Sequence, residues 1–306
     1  VPRTLGIIFN IQPYCNQSSS CLANTYSTIL DIMSTQIFDR LWHQTLRRPY
    51  KLVKRIDSGA GPLIVLLHGL GRDGQGWQYL VDELAKEPVR AVAFDLLGFG
   101  NSPKPAWLDY DADDHAQAVI NSIERLHPEQ PVIVVGHSMG CLVAVRLAAL
   151  RPDLVKQLIL YEMPLYKGLP NKRYYRLRLN FYNKIYNWIV RYEPAFDANK
   201  TKFSDRLARK LNNLEVEPTS WRPYVKSLQH TIYEQTAPDD IPKLSMPMDV
   251  IYGSFDMLVI KGTVQYVYGK EPDERMQIHT VRAGHSISKK ASKLLAERVL
   301  AALQSP

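Results

Sequence analysis

Three cysteines, at positions 15, 21 and 141, are too few to build a 306-residue chain on disulfides. Cys15 and Cys21 form a bridge only if the chain is exported, and no histidine stands near them to complete a metal site. Cys141 sits among small residues and reads as a reduced, buried side chain. Long apolar runs are missing as well: none approaches the ~18 residues of a membrane span, so no stable span is expected. No histidine pair has zinc spacing, and no loop carries the Walker or dinucleotide pattern, so neither a metal nor an organic cofactor is expected. Internal repeats and low-complexity segments are also lacking. Residues 1–32 fall short of an export signal: residues 5–9 are a brief apolar run behind a single Arg3, without a clear small-residue cleavage site. They read as an N-terminal extension, disordered or foreign to the fold. The cytoplasm is the expected location, with export left open.

The net charge of +8 is unevenly placed. Residues 166–230 hold 14 Lys or Arg against 5 Asp or Glu, so the basic excess belongs to one segment. That segment reads as a solvated face on a mobile lobe. It lacks a recognisable nucleic-acid-reading element, so no nucleic-acid partner is expected.

Hydrophobic content of 45% and charged content of 22% suit a globular chain. Strand-like stretches at 50–56, 63–67, 89–94, 132–135, 158–161, 248–252 and 276–281 predict strands, with 63–67 a continuous apolar run. Helical spacing marks 75–86, 112–126, 141–150 and 290–303. Alternation of this kind implies a parallel sheet with right-handed crossovers. It breaks after Tyr161, where residues 166–238 turn rich in charge and aromatics, among them Tyr174, Phe181 and Trp188. The expected domains are therefore a core of 33–164 and 239–306, with 165–238 as an inserted helical lid.

Reactive residues of an open parallel sheet belong at the carboxyl ends of its strands. Four such ends are suggestive. Gly136-His137-Ser138-Met139-Gly140 runs from a strand straight into a helix, which sets Ser138 on a tight bend facing a crevice. His68-Gly69-Leu70-Gly71 lets backbone approach a ligand, and the amides of Leu70 and Met139 are candidates to face developing negative charge. Asp256, in Gly253-Ser254-Phe255-Asp256, is suited to orient an imidazole. His285, in Gly284-His285-Ser286, is the candidate base. Serine is a poor nucleophile unless a base takes its proton, and the base needs a third group to fix its tautomer. His68 is expected to hydrogen-bond the loop it opens, and His137 to pack beside the bend. Glu162, just beyond the 158–161 run, is the alternative acid. His43, His115, His127, His230 and His279 have no partner of obvious purpose, and residues 95–102 read as a tight loop bordering the crevice.

Together these motifs, over about residues 50–303, resemble the alpha/beta-hydrolase superfamily and its lid-bearing serine hydrolases. The resemblance implies an α/β fold with an eight-stranded, mostly parallel sheet, helices on both faces, and a lid after the sixth strand. It also implies Ser138 as nucleophile, His285 as base, Asp256 as its partner, and the Leu70 and Met139 amides as the oxyanion hole. Serine at 138, where epoxide hydrolases and haloalkane dehalogenases carry aspartate, argues against both. The expected reaction is hydrolysis of a small-molecule ester with a small to medium apolar group, by a monomer or homodimer. A carbon–carbon bond hydrolase using the same three residues is the enzymatic alternative, and a non-catalytic small-molecule receptor is the other.

Overall fold

A computed structural model describes residues 40–46, 48–168, 180, 184, 187, 220–269 and 275–305. The chain divides between Arg48 and Pro49, and the described part of the shorter unit forms a single helical turn, Leu41–Thr45. The expectations for residues 1–32, for the Cys15–Cys21 pair and for most of 165–219 lie outside the described residues.

In the larger unit, seven strands form one sheet: β1 (Lys54–Gly59), β2 (Leu63–Leu67), β3 (Arg90–Phe94), β4 (Val132–His137), β5 (Val155–Tyr161), β6 (Met248–Gly253) and β7 (Met276–Val281), in the order β1-β3-β2-β4-β5-β6-β7. The expected eight-stranded sheet is therefore corrected to seven strands among the described residues. The sequence itself offered seven runs, and the eighth was owed to the family pattern alone.

The first strand is displaced and reversed. It begins at Lys54, because the N–H groups of Leu52 and Val53 go to the hydroxyls of Ser122 and Ser102 instead of a neighbouring strand. Only residues 60–62 join β1 to β2, too few for a crossover, which needs a dozen or more. β1 therefore runs antiparallel, as a largely exposed edge against β3, while the other five pairings are parallel.

β2, β4 and β6 are buried along their whole length, as strands covered on both faces must be. Their side chains alternate between two cores. Ile64, Leu66, Ile133, Val135 and Ile159 meet α1 (Gln78–Leu84) and the C-terminal helix. Val65, Leu67, Val134, Leu158 and Leu160 meet α2 (Ala112–Glu124) and α3 (Met139–Leu150). Each such aliphatic side chain contributes about 1.5–3 kcal/mol on burial.

The insertion lies between β5 and β6. Its described part is helical: α4 (Trp221–Ser227) continues through the wider turns of Leu228–Tyr233. Outside the insertion, α5 (Thr263–Tyr268) follows β6, and α6 (Lys289–Gln304) follows β7. α4 is bound to the core, with His115 Nε2 3.0 Å from Ser227 Oγ, and Thr231 donating to the Tyr110 carbonyl at 2.7 Å. Buried Gln235 holds both ends of the insertion. Its Oε1 accepts the N–H groups of Tyr166 (2.8 Å) and Lys167 (3.1 Å), and its Nε2 donates to the Pro164 carbonyl. Gln235→Ala removes these three hydrogen bonds from a buried site, and chemical denaturation is expected to show a loss of about 2 kcal/mol.

Candidate active site

Ser138 stands at φ 51° and ψ −120°, a bend that L side chains rarely adopt. Small neighbours make the bend possible. A Cβ on Gly136 would come within 2.8 Å of the Cys141 backbone, and one on Gly140 within 2.2 Å of the Leu67 carbonyl oxygen. The N-terminus of α3 is thus pressed against the end of β2. A serine before a helix normally gives its oxygen to the first-turn N–H groups, but Ser138 makes no such cap. Its hydroxyl instead lies 3.0 Å from His285 Nε2.

His285, beyond β7, places Nδ1 2.6 Å from Asp256 Oδ2. The other oxygen, Oδ1, accepts the N–H groups of Leu258 (2.5 Å) and Val259 (3.2 Å). Burial alone would raise the Asp256 carboxyl, but the hydrogen bond with His285 and the neighbouring Glu162 outweigh it and hold it at about 2. Asp256 is therefore an anion through the physiological range, and its charge favours a proton on Nδ1 of His285. That leaves Nε2 with a lone pair toward Ser138, the arrangement a general base requires.

The loop after β2 comes up against the bend. A Cβ on Gly69 would stand 3.1 Å from both Ser138 Cβ and His137 Nδ1. Leu70 follows in this loop, and Met139 opens α3, so its N–H is among the four that have no partner within the helix. His68 accepts the Leu96 N–H on Nε2 at 2.8 Å, which assigns its proton to Nδ1, where it donates to the Gly69 carbonyl at 2.8 Å. Burial depresses its basicity, so it joins the loops after β2 and β3 as a neutral ring. In the second loop Asp95 accepts from Gly74 and Asn101, both at 2.8 Å, as the tight-loop reading of 95–102 anticipates.

His137 does more than pack beside the bend. Its Nε2 donates to the His285 carbonyl at 2.7 Å, and its ring lies between those of Tyr161 and His285. Burial, with the neighbouring His285 ring, lowers it to about 3, so it stays neutral. Its position within the Gly-x-Ser-x-Gly motif was the only sequence signal for this link. Cys141 is a free, buried thiol with the Gly136 and Tyr161 carbonyls both within reach of its single S–H, in keeping with its reading as a reduced side chain. His279 does have a partner: its Nε2 lies 2.5 Å from buried Asp249, which also accepts from Gln157 at 2.7 Å.

Glu162, Asp256 and His285 each bring one ligating atom to within 4.8 Å of the others. A cation would have to displace the Asp256 contacts to His285, Leu258 and Val259, so the group is better described by its hydrogen bonds. A cavity of about 510 Å³ opens at the amino ends of the strands beside Leu63, Ile133 and Leu303, away from Ser138.

Residues 62–291 match the alpha/beta hydrolase fold family. The chain belongs to that family. This alpha/beta hydrolase is similar, at 37% identity over 102 residues, to the probable lysophospholipase BODYGUARD 4 of Arabidopsis thaliana, a match covering 33% of this chain and 24% of that one. It thus spans about a quarter of the plant protein. A longer match, 26% identical over 212 residues, is with 2-hydroxy-6-oxo-6-(2'-aminophenyl)hexa-2,4-dienoic acid hydrolase of Metapseudomonas resinovorans, covering 67% of this chain and 71% of the relative. Among solved structures, a marine microorganism esterase superposes with a TM-score of 0.61 at 21% identity, covering 82% of this chain and 99% of the esterase. That similarity establishes the fold alone. No described helix of this alpha/beta hydrolase is long and apolar enough to cross a membrane.

Proposed function

We propose that the protein is a serine hydrolase cleaving carboxylic esters of small to medium apolar substrates through an acyl-enzyme. The observation that carries this reading is the unbroken line from Ser138 Oγ to His285 Nε2 (3.0 Å) and from His285 Nδ1 to Asp256 Oδ2 (2.6 Å). His285 Nε2 takes the Ser138 proton as Oγ attacks the ester carbonyl carbon. The carbonyl π electrons move to oxygen, and the amides of Leu70 and Met139 bind the resulting oxyanion. Collapse breaks the bond to the alkoxy oxygen, which leaves with the proton from His285. Water then repeats the sequence on the acyl-enzyme: His285 takes its proton, the hydroxide attacks, and Ser138 recovers a proton as the acid leaves. Asp256 stays ionised and stabilises the imidazolium of both steps. No step calls for a metal or an organic cofactor. The family membership and the resemblance to a probable lysophospholipase support an ester as substrate.

Hydrolysis of a carbon–carbon bond in a vinylogous diketone by the same three residues is a second reading. It is favoured by the relative from Metapseudomonas resinovorans, which matches more of this chain than the plant protein does. Initial rates on p-nitrophenyl esters from acetate to palmitate test the first reading, with a vinylogous diketone acid in parallel. Ester turnover with a chain-length optimum, carried by Ser138, is the expected result. No Ser138-dependent turnover on any ester, together with turnover of the diketone, would transfer the assignment to the second reading.

A further inference from the structure

Glu162 is the ionisable side chain at the site to which the line from Ser138 to Asp256 gives no task. It follows β5 at φ 55°, is fully buried, and continues the pairing with β6 by donating its N–H to the Ile251 carbonyl at 3.0 Å. Its Oε1 accepts the Gly253 N–H, at the root of the loop that carries Asp256. Gly253 has no room for a side chain, since a Cβ there would stand 2.3 Å from Glu162 Oε1. Oε2 is enclosed and makes no hydrogen bond of ordinary geometry among the described residues. Asp256 and His285 nevertheless lie within 4.8 Å in the same cluster.

Two buried carboxyls side by side do not both ionise at tolerable cost, so one keeps a proton. Asp256 is better placed to hold the charge, with two N–H donors on Oδ1 and His285 on Oδ2, whereas Glu162 receives a single N–H. We propose that Glu162 is a positioning residue carrying the proton of this pair: Oε1 anchors Gly253, and the proton on Oε2 faces the Asp256 carboxylate, which stays ionised and turned toward His285. This rests on the reading of Asp256 as the partner of His285.

Burial and then the Asp256 carboxylate push Glu162 up to about 9, with the Gly253 N–H and Lys261 acting in the opposite direction. The other groups facing it are His285 beyond β7, Tyr252 on β6, Cys141 on α3 and Tyr161 on β5. An unfolded glutamate titrates near the ordinary 4.5, so between that value and about 9 the folded chain holds a proton that the unfolded chain has released. The stabilisation is complete below 4.5 and is lost as pH rises through about 9.

The test compares unfolding equilibria from pH 6 to 8 for chains with and without Glu162→Gln, both carrying Ser138→Ala so that the readout needs no turnover. Relative to the Gln chain, the Glu chain is expected to gain about tenfold in its unfolding constant per pH unit. Parallel profiles overturn the proposal. In the active chain, Glu162→Gln keeps kcat within about threefold, while Glu162→Ala lowers kcat by about tenfold at unchanged KM. A loss in Glu162→Gln as large as that of Asp256→Asn means that the ionised carboxylate is required, and the proposal falls. If neither variant folds, infrared difference spectra of the unaltered protein between pH 7 and 10 decide: a protonated-carboxyl band that disappears at high pH supports the assignment, and its absence at pH 7 refutes it. Absence of ester turnover, by contrast, refutes the ester reading and leaves the unfolding comparison intact.

Discussion

Ser138→Ala is expected to lower ester turnover on the order of 10⁶-fold without loss of the fold. The size follows from chemistry: no other described hydroxyl lies in line with His285 Nε2, and alanine offers nothing to attack the carbonyl. What remains is catalysis by binding and oxyanion stabilisation, roughly 10³–10⁴ over water. Stability is expected to stay level, because alanine bears the same backbone strain at φ 51° as serine does. Ser138→Gly separates the two effects. It is equally inactive, but glycine adopts this bend freely, so thermal unfolding should report a gain of about 1 kcal/mol. Paired kcat and melting measurements on both variants check the prediction. Activity surviving in either places the nucleophile elsewhere.

The second large effect is expected from Asp256→Asn, a fall in kcat of about 10⁴-fold with KM nearly unchanged. The reason is the tautomer. Asp256 Oδ1 is held by the Leu258 and Val259 N–H groups, so the asparagine oxygen takes that side and its NH₂ faces His285 Nδ1. An N–H donor there moves the imidazole proton to Nε2, where it faces Ser138 and blocks uptake of the hydroxyl proton. The side chain keeps its shape, so denaturation should change far less than turnover. Raising pH cannot restore the rate, because the defect is the location of a proton rather than its presence. Retention of more than about a tenth of the activity would remove Asp256 from the role.

Much of this was legible in the sequence because two signals agreed. The run at 63–67 became a strand with those bounds, since a strand buried on both faces must be apolar throughout, and 276–281 did so as the partly exposed edge strand β7. Ser138, Asp256 and His285 stood out because each follows such a run, and a strand's carboxyl end converges with its parallel neighbours. β1 was misplaced because its direction and start depend on partners distant in sequence: Ser102 and Ser122 capture the N–H groups of residues 52 and 53. Asp249 and His279 were missed for a similar reason. Each sits within a strand, and only the pairing of β6 with β7, which sets Asp249 opposite Gln277, brings it within reach of His279 two positions on. Periodicity reports which face a residue occupies. It does not report who meets it there.

Gln235 carries a consequence for how such a protein diversifies. Because one buried amide fastens residues 164, 166 and 167 to the far end of the insertion, the two stems leave the sheet as neighbours. Lengthening a flexible loop between fixed stems costs little, about 0.6 kcal/mol for each doubling. A change of length or chemistry between residues 168 and 220 therefore leaves the register of β5 and β6 in place, because α4 and Gln235 keep their contacts with the core. Grafting between relatives should accordingly cut between residue 168 and α4, carrying new preferences onto an unchanged catalytic frame.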